Sequence, residues 1–375
     1  MSIPFVNLAE QQRRIRPDLE RRISQVLDHG RYVNGPEVAE LEARLASFTD
    51  CRHVISVSSG TDALLAVLMA KGIGRGDAVF LPSFTFTATA EVVLLCGATP
   101  VFVDVDASTF NLNPTCLGEA IANTAKDGRL RPAALIAVDL FGQPADYPAI
   151  NDLADWHGLF CLADSAQSFG AKMKNQTVGT LAEATATSFY PAKPLGCYGD
   201  GGAIFTDDDE LAATCRSIRT HGEGEDRYNI VRLGMNGRLD TLQAAVLLAK
   251  LEIFEDEIEL RRSVARRYTD SLAELVTTPT QMSGADSSWA QYTIKLPHRD
   301  AIAERLQHRG IPTQIYYPSP MHLQPAYAEY GGGRGSLPVS ERLSGEVLAL
   351  PMHPYLDDAA IAMICEALRD AVAAA

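Results

Sequence analysis

Through the first 245 residues of this 375-residue chain, short β-branched apolar runs recur with helical patterns between them. His53–Val57, Ala78–Leu81, Pro100–Val103, Ala134–Val138, Leu159–Ala163, Ala184–Phe189 and Gly202–Phe205 read as buried strands, and Asp62–Lys71 and Ala88–Cys96 as helices. That alternation predicts an α/β domain with a largely parallel sheet, where ligands sit beyond the carboxyl ends of the strands. From Leu239 the pattern changes to one long helix, with Leu242, Val246 and Ala249 at i, i+4 and i+7. It leads into a smaller unit, so residues 1–252 are expected to form a large domain and 253–375 a small one. The glycines between Gly331 and Gly335 read as a mobile surface loop.

Charge narrows the classes of partner. The net charge of −14 and the lack of a basic stripe argue against nucleic acid and against an anionic membrane surface. A few local cationic groups still suffice for an anionic small molecule. The N-terminal stretch MSIPFVNLAEQQRRIRPDLE lacks a signal-peptide layout, and no apolar run approaches the ~20 residues that span a bilayer. The seven cysteines are scattered, which suits reduced thiols in a cytoplasmic protein. No metal is expected, since the eight histidines show no ligand spacing. No Ser/His/Asp nucleophile context appears. The glycines of Gly199–Gly202 do not lead from a strand into a helix, so a dinucleotide fingerprint fails on context.

Several turns carry possible chemistry. SVSSGTDALLAVLMA (Ser56–Ala70) joins a strand end to a helix through a Ser/Gly turn; free N–H groups there favour a phosphate, Gly60 permits close approach and Thr61 adds a hydroxyl. An ordinary N-capped helix would look the same. In LFCLADSAQSFGA (Leu159–Ala171), Asp164 ends an apolar strand at the ligand edge, where a carboxylate can keep a pyridine nitrogen protonated; capping the next helix is the plainer reading. Gln167 stands three residues on. In ATSFYPAKPLGCYGDGGAIFT (Ala186–Thr206), Lys193 lies between Pro191 and Pro194, among aromatic residues and buried strands. A lysine held there loses solvation, and its neutral amine can attack an aldehyde carbon. Ser188 is a second candidate phosphate ligand. Phe84 and Phe86 could stack on a planar ring or pack in the core. Asn236 could donate to a phosphate, while Arg238 could clamp an anion or close a salt bridge at a helix start.

Taken together, SGTDAL, FTFTATAE, ADSAQSFGA, SFYPAKPLGCYGDGGA and NGRLDTLQAA stand in the order and spacing of the DegT/DnrJ/StrS sugar aminotransferases. The chain resembles that family from RYVNGPEVAELE (Arg31–Glu42) to LPMHPYLD (Leu350–Asp357). The resemblance implies a fold type I, aspartate aminotransferase-like transferase that uses pyridoxal 5'-phosphate, converted to pyridoxamine phosphate in turnover. It makes Lys193 the Schiff-base lysine and proton shuttle, and Asp164 the partner of the ring nitrogen. Gln167 would sit near the ring hydroxyl, Phe86 on the ring, and Gly60, Thr61 and Ser188 around the phosphate. Asn236 would reach the phosphate bound to a neighbouring subunit, which implies a homodimer with shared sites; Arg238 and Tyr317 would lie on the sugar side. KPLGCYGDGGAIFT, RLDTLQAAVLLAKLEIFEDEI and LPMHPYLD point to the branch that passes an amino group from L-glutamate, released as 2-oxoglutarate, to C3″ of a 3-keto UDP-N-acetyl sugar, the 3-oxo-glucuronate. Such products serve surface polysaccharide synthesis, including lipopolysaccharide and O-antigen. The chain departs from that branch at Tyr316-Tyr317, where its members carry His-Tyr. Amination at C4″ and a non-catalytic pyridoxal-phosphate-binding regulator are the rival readings.

Overall fold

A computed structural model describes residues 3–374. Its central sheet holds β1 (His53–Val57), β2 (Asp77–Pro82), β3 (Thr99–Val103), β4 (Arg131–Val138) and β5 (Phe160–Asp164). After the short β6 (Lys172–Met173) and β7 (Gln176–Thr177) it is completed by β8 (Ala184–Ser188) and β9 (Gly202–Thr206). The spatial order is β1-β9-β8-β5-β4-β2-β3. β9 pairs antiparallel with β1 and β8, and every other pair is parallel. The seven predicted strands are therefore all present, with ends moved by a few residues, in a mixed, mostly parallel sheet as a fold type I transferase requires.

Period-two burial explains why the strands read as unbroken apolar runs. Val79, Leu81, Ala134 and Ile136 enter one core, whereas their neighbours Ala78, Phe80, Leu135 and Ala137 enter another on the opposite face. Preceding the sheet are α1 (Leu8–His29) and α2 (Pro36–Thr49); α3 (Gly60–Ala70) and α4 (Ala88–Leu95) cover the first face, α5 (Pro114–Asp127) and α6 (Tyr147–His157) the second. Behind β9 come α7 (Asp209–Arg219), which joins the first face, and α8 (Thr241–Leu251).

The single long helix expected from Leu239 is broken in two. α8 stops at Leu251, and α9 (Phe254–Leu272) restarts after Ile253. The reason is packing: α8 is buried at every residue from Ala244 to Lys250, against α1 and α2. α9 first sets Phe254 and Ile258 on that same core, then carries Val264, Tyr268 and Leu272 into a different one. Glu255, Asp256 and Glu257 in its first turn put negative charge at the positive end of the new helix. β10 (Ala285–Asp286) pairs with β6. The remaining core lies around β11 (Tyr292–Lys295) and β12 (Val347–Leu350), with α10 (Arg299–His308) and α12 (Asp358–Ala373); α11 (Pro338–Glu346) precedes β12. The Gly331–Gly335 stretch is an exposed turn.

Candidate active site

Three carboxyl ends meet where the sheet order predicts a ligand. β1 runs through Ser58 and Ser59 into α3, β5 ends on Asp164, and β8 ends on Ser188. The helix start is capped by Ser59, whose hydroxyl accepts from the Asp62 N–H at 3.0 Å, so Thr61 is not the cap and its hydroxyl is left for other work. Gly60 is forced by contact: a Cβ there would stand 2.8 Å from the Ser188 Cβ and 3.2 Å from its Cα. That approach puts Gly60, Thr61 and Ser188 side by side around a helix N-terminus, an arrangement that suits a phosphate. The Ser58 N–H donates to the Gly237 carbonyl at 2.9 Å, which draws Asn236 and Arg238 to the same turn. Asn236 is exposed and Arg238 half-buried; no ion pair involves Arg238 among the described residues, so the helix-start salt bridge is not what holds it.

Asp164 is buried at the end of β5. No helix follows it, which removes the capping reading; instead its Oδ2 accepts from the Thr89 hydroxyl at 2.8 Å and its Oδ1 from the Ala166 N–H at 3.3 Å. Burial raises its pKa, while Thr89, Ala166 and the Lys193 charge pull it down. Gln167 is locked at both ends: Oε1 accepts from the Phe141 N–H at 2.6 Å, and Nε2 donates to the Tyr317 hydroxyl at 3.3 Å. Tyr317 in turn packs against Phe86, with ring centroids 6.2 Å apart.

Lys193 occupies a tight turn closed by its own N–H to the Tyr190 carbonyl at 2.8 Å, with Pro191 at the position that favours such turns. Gly196 lets the loop fold back on itself, since a Cβ there would meet the Pro191 carbonyl oxygen at 2.5 Å. Cys197 closes the base by donating its N–H to the Phe189 carbonyl at 2.7 Å. In this setting burial lowers the Lys193 ammonium below its ordinary value, and Asp164 draws it partly back. Phe86 is 56% exposed although it neighbours the fully buried Phe84, so of the two rings only Phe86 is free to meet a ligand.

The residues singled out from sequence thus converge on one sheet edge. Sequence reasoning missed Thr89, whose signal was a hydroxyl at the start of a mostly apolar helix, and Tyr190, a 55% exposed ring in the lysine loop. It also missed a Ser–His–Glu chain: Ser83 Oγ lies 2.7 Å from His322 Nδ1, and His322 Nε2 lies 3.2 Å from Glu341. Ser83 has no exposed surface, so this chain is no nucleophile; it ties the Phe86 loop to the C-terminal part of the chain. The seven cysteines are all free thiols, five of them buried.

This donor set fits pyridoxal phosphate. It offers a glycine cradle beside two hydroxyls for the phosphate, a buried carboxylate for a ring nitrogen, a desolvated amine for an aldehyde, and an exposed aromatic face for the ring.

Comparison with known proteins gives the same direction. The model of the DegT/DnrJ/EryC1/StrS aminotransferase family matches residues 13–369. A UDP-2-acetamido-2-deoxy-3-oxo-D-glucuronate aminotransferase from Pseudomonas aeruginosa is 49% identical over 98% of this chain and 100% of its own length. The crystal structure of a DegT DnrJ EryC1 StrS aminotransferase from Brucella abortus superposes with a TM-score of 0.96 at 53% identity, covering 98% of this chain and 99% of that one. NtdA from Bacillus subtilis, solved with bound cofactor PMP, superposes with a TM-score of 0.90 at 29% identity over 99% of this chain and 85% of that one.

Proposed function

The chain belongs to the DegT/DnrJ/EryC1/StrS aminotransferase family, and from that premise we propose that it moves an amino group from L-glutamate to C3″ of a 3-keto UDP-N-acetyl sugar, the 3-oxo-glucuronate. It is a pyridoxal-phosphate-dependent enzyme. The observation that carries amino transfer is the pairing of a desolvated Lys193 amine with a buried Asp164 carboxylate at one sheet edge. The sugar rests on the full-length similarity to the Pseudomonas enzyme.

When bound, pyridoxal phosphate supplies an aldehyde that accepts amino groups and a protonated ring that withdraws electrons. Lys193 would tether it through Nζ; with that nitrogen free, it would take the α-proton of glutamate and, in the second half of the cycle, give a proton to C3″ of the keto-sugar. A lowered amine pKa suits this work, because Nζ must be neutral to accept that proton. Asp164 would hold the ring nitrogen protonated, and Thr89 orients the carboxylate. Gly60, Thr61 and Ser188 would hold the phosphate, Phe86 would stack on the ring, and Gln167 would sit near its hydroxyl. Arg238 and Tyr317 serve the sugar side.

The same reading includes a homodimer. Tyr228, Ile230, Val231 and Leu233 form an exposed apolar arm just before Asn236, with Leu233 86% exposed; such a patch is expected to be covered, here by a second copy that receives Asn236 at its phosphate. It also includes the division into residues 1–252 and 253–375; a core drawn mostly from residues beyond Val264 supports it, although Phe254, Ile258, Met321 and Tyr327 pack on cores of the first part. A cytoplasmic place and a role in surface polysaccharide synthesis complete it; among the described residues no helix is long and apolar enough to cross a membrane.

The test is to supply glutamate with 3-keto and 4-keto UDP-sugars and identify the aminated product by mass and NMR. Amination at C3″ of the uronic acid is expected. Amination at C4″ overturns the sugar assignment, and a cofactor spectrum that never responds to glutamate favours a non-catalytic binding protein.

A further inference from the structure

Asp139, one residue beyond β4, is completely buried and plays no part in the chemistry above. Its carboxylate nevertheless gathers four donors. Oδ1 accepts from the Ala145 N–H and the Tyr147 hydroxyl, each at 2.8 Å; Oδ2 accepts from the Ser165 hydroxyl at 2.7 Å and the Ser168 hydroxyl at 2.6 Å. We propose that Asp139 is a positioning residue that aims Asp164 and Gln167 at the cofactor ring.

The geometry rests on alternation. Ser165 follows Asp164 and Ser168 follows Gln167, so one carboxylate oxygen grips the chain beside each of the two ring-facing residues. A further bond runs directly from the Asp139 N–H to the Asp164 carbonyl at 3.0 Å. The segment is held from its other side too, since Ser165 donates its N–H to Ala186 and accepts from the Thr187 hydroxyl. Burial pushes the Asp139 carboxyl up to about 6 and the four donors oppose it, as expected of an anion kept by its ligands. A strut with no functional consequence would look like Asp104, another buried carboxylate: besides the N–H of its neighbour Val105, it accepts from the Ser340 N–H and hydroxyl and from the Val339 N–H, and from nothing in 164–168.

The inference rests on the cofactor placement above and is independent of which sugar is used. In Asp139→Ala, the apoprotein is expected to bind pyridoxal phosphate about tenfold more weakly, the absorbance maximum of the lysine-linked cofactor to move, and kcat for the glutamate half-reaction to fall about tenfold or more. Asp139→Asn keeps an acceptor for Ala145 and Tyr147 and lets both serine hydroxyls turn to accept, so most of each loss is restored. Asp104→Ala is expected to lower the melting temperature by a similar amount and leave all three readouts unchanged. If Asp139→Ala fails to fold, the double variant Ser165→Ala/Ser168→Ala, which strips only Oδ2, carries the test with the same expected direction. Folded variants whose cofactor affinity and absorbance match the parent, with only the melting temperature lowered, overturn the proposal and leave Asp139 a strut.

Discussion

Lys193 and Lys250 are both amines withdrawn from water, in two regions that use the withdrawal differently. Lys193 lies in the turn between β8 and β9, half-buried, lowered by burial and drawn back by Asp164. Lys250, near the end of α8, is buried outright: its ammonium sits 4.5 Å over the Tyr198 ring without a hydrogen-bond partner among the described residues, and burial lowers it to about 8 against the pull of Glu257. A depressed amine is therefore not what would distinguish the nucleophile proposed at Lys193. α8 is enclosed by α1 and α2, so nothing can approach Lys250. Lys193 faces the ligand edge of the sheet, where a carboxylate and an exposed aromatic ring wait beside it. Reactivity comes from access and company, with desolvation as a shared background.

The comparison breaks if the wrong lysine matters. Lys193→Ala is expected to lose at least ~10⁴-fold in kcat, since tether and proton shuttle go together, and to lose the visible band of lysine-linked cofactor. Spectroscopy with a single-turnover assay decides it, and retained amino transfer would overturn the assignment. Asp164→Asn sharpens the other half of the pair: kcat is expected to drop about 100-fold with the protein still folded, because the ring nitrogen loses its anion.

Lys250→Met should do the reverse, keeping turnover and changing stability. A folded-state pKa near 8 against an ordinary 10.5 penalises the folded protein wherever the unfolded lysine stays protonated, by about 3 kcal/mol at pH 7. The lowered folded pKa means that this penalty fades as pH rises from about 8 to 10.5. After loss of the ring contact, the variant should be about 2 kcal/mol more stable at pH 7 and no better near pH 11. Denaturant titrations at both pH values measure this, and a destabilised variant at pH 7 would show that Lys250 is held by more than its ring. The smallest effect is expected for Phe86→Ala: about tenfold weaker cofactor binding, the worth of one aromatic contact, read by titrating the apoprotein.

Much of this was legible in the sequence where the signal is local. The seven strands announced themselves by apolar runs, and Lys193, Asp164 and Gly60 by their places at strand ends and helix starts. What stayed hidden involves partners far apart in the chain. Gln167 and Tyr317 are 150 residues apart, Ser83 and His322 239 apart, and nothing near either member of those pairs names the other. Thr89 reads as part of a mostly apolar helix, and only the fold carries its hydroxyl to Asp164. Asp139 carried the same local signal as Asp164, a carboxylate closing an apolar strand, yet turned to serine hydroxyls and away from the ligand edge.

The break between α8 and α9 teaches the same lesson, because periodicity continues through Glu252 and Ile253 and only the existence of two cores to fill requires a turn there. The sequence by itself determined the class of fold, the order of the motifs and the lysine to watch, since strand alternation and turn chemistry act over a few residues. Only the tertiary structure decided which lysine is reachable, which of two phenylalanines is free, and which carboxylate faces the ligand. Those outcomes depend on how distant segments bury one another, and burial is a property of the folded assembly.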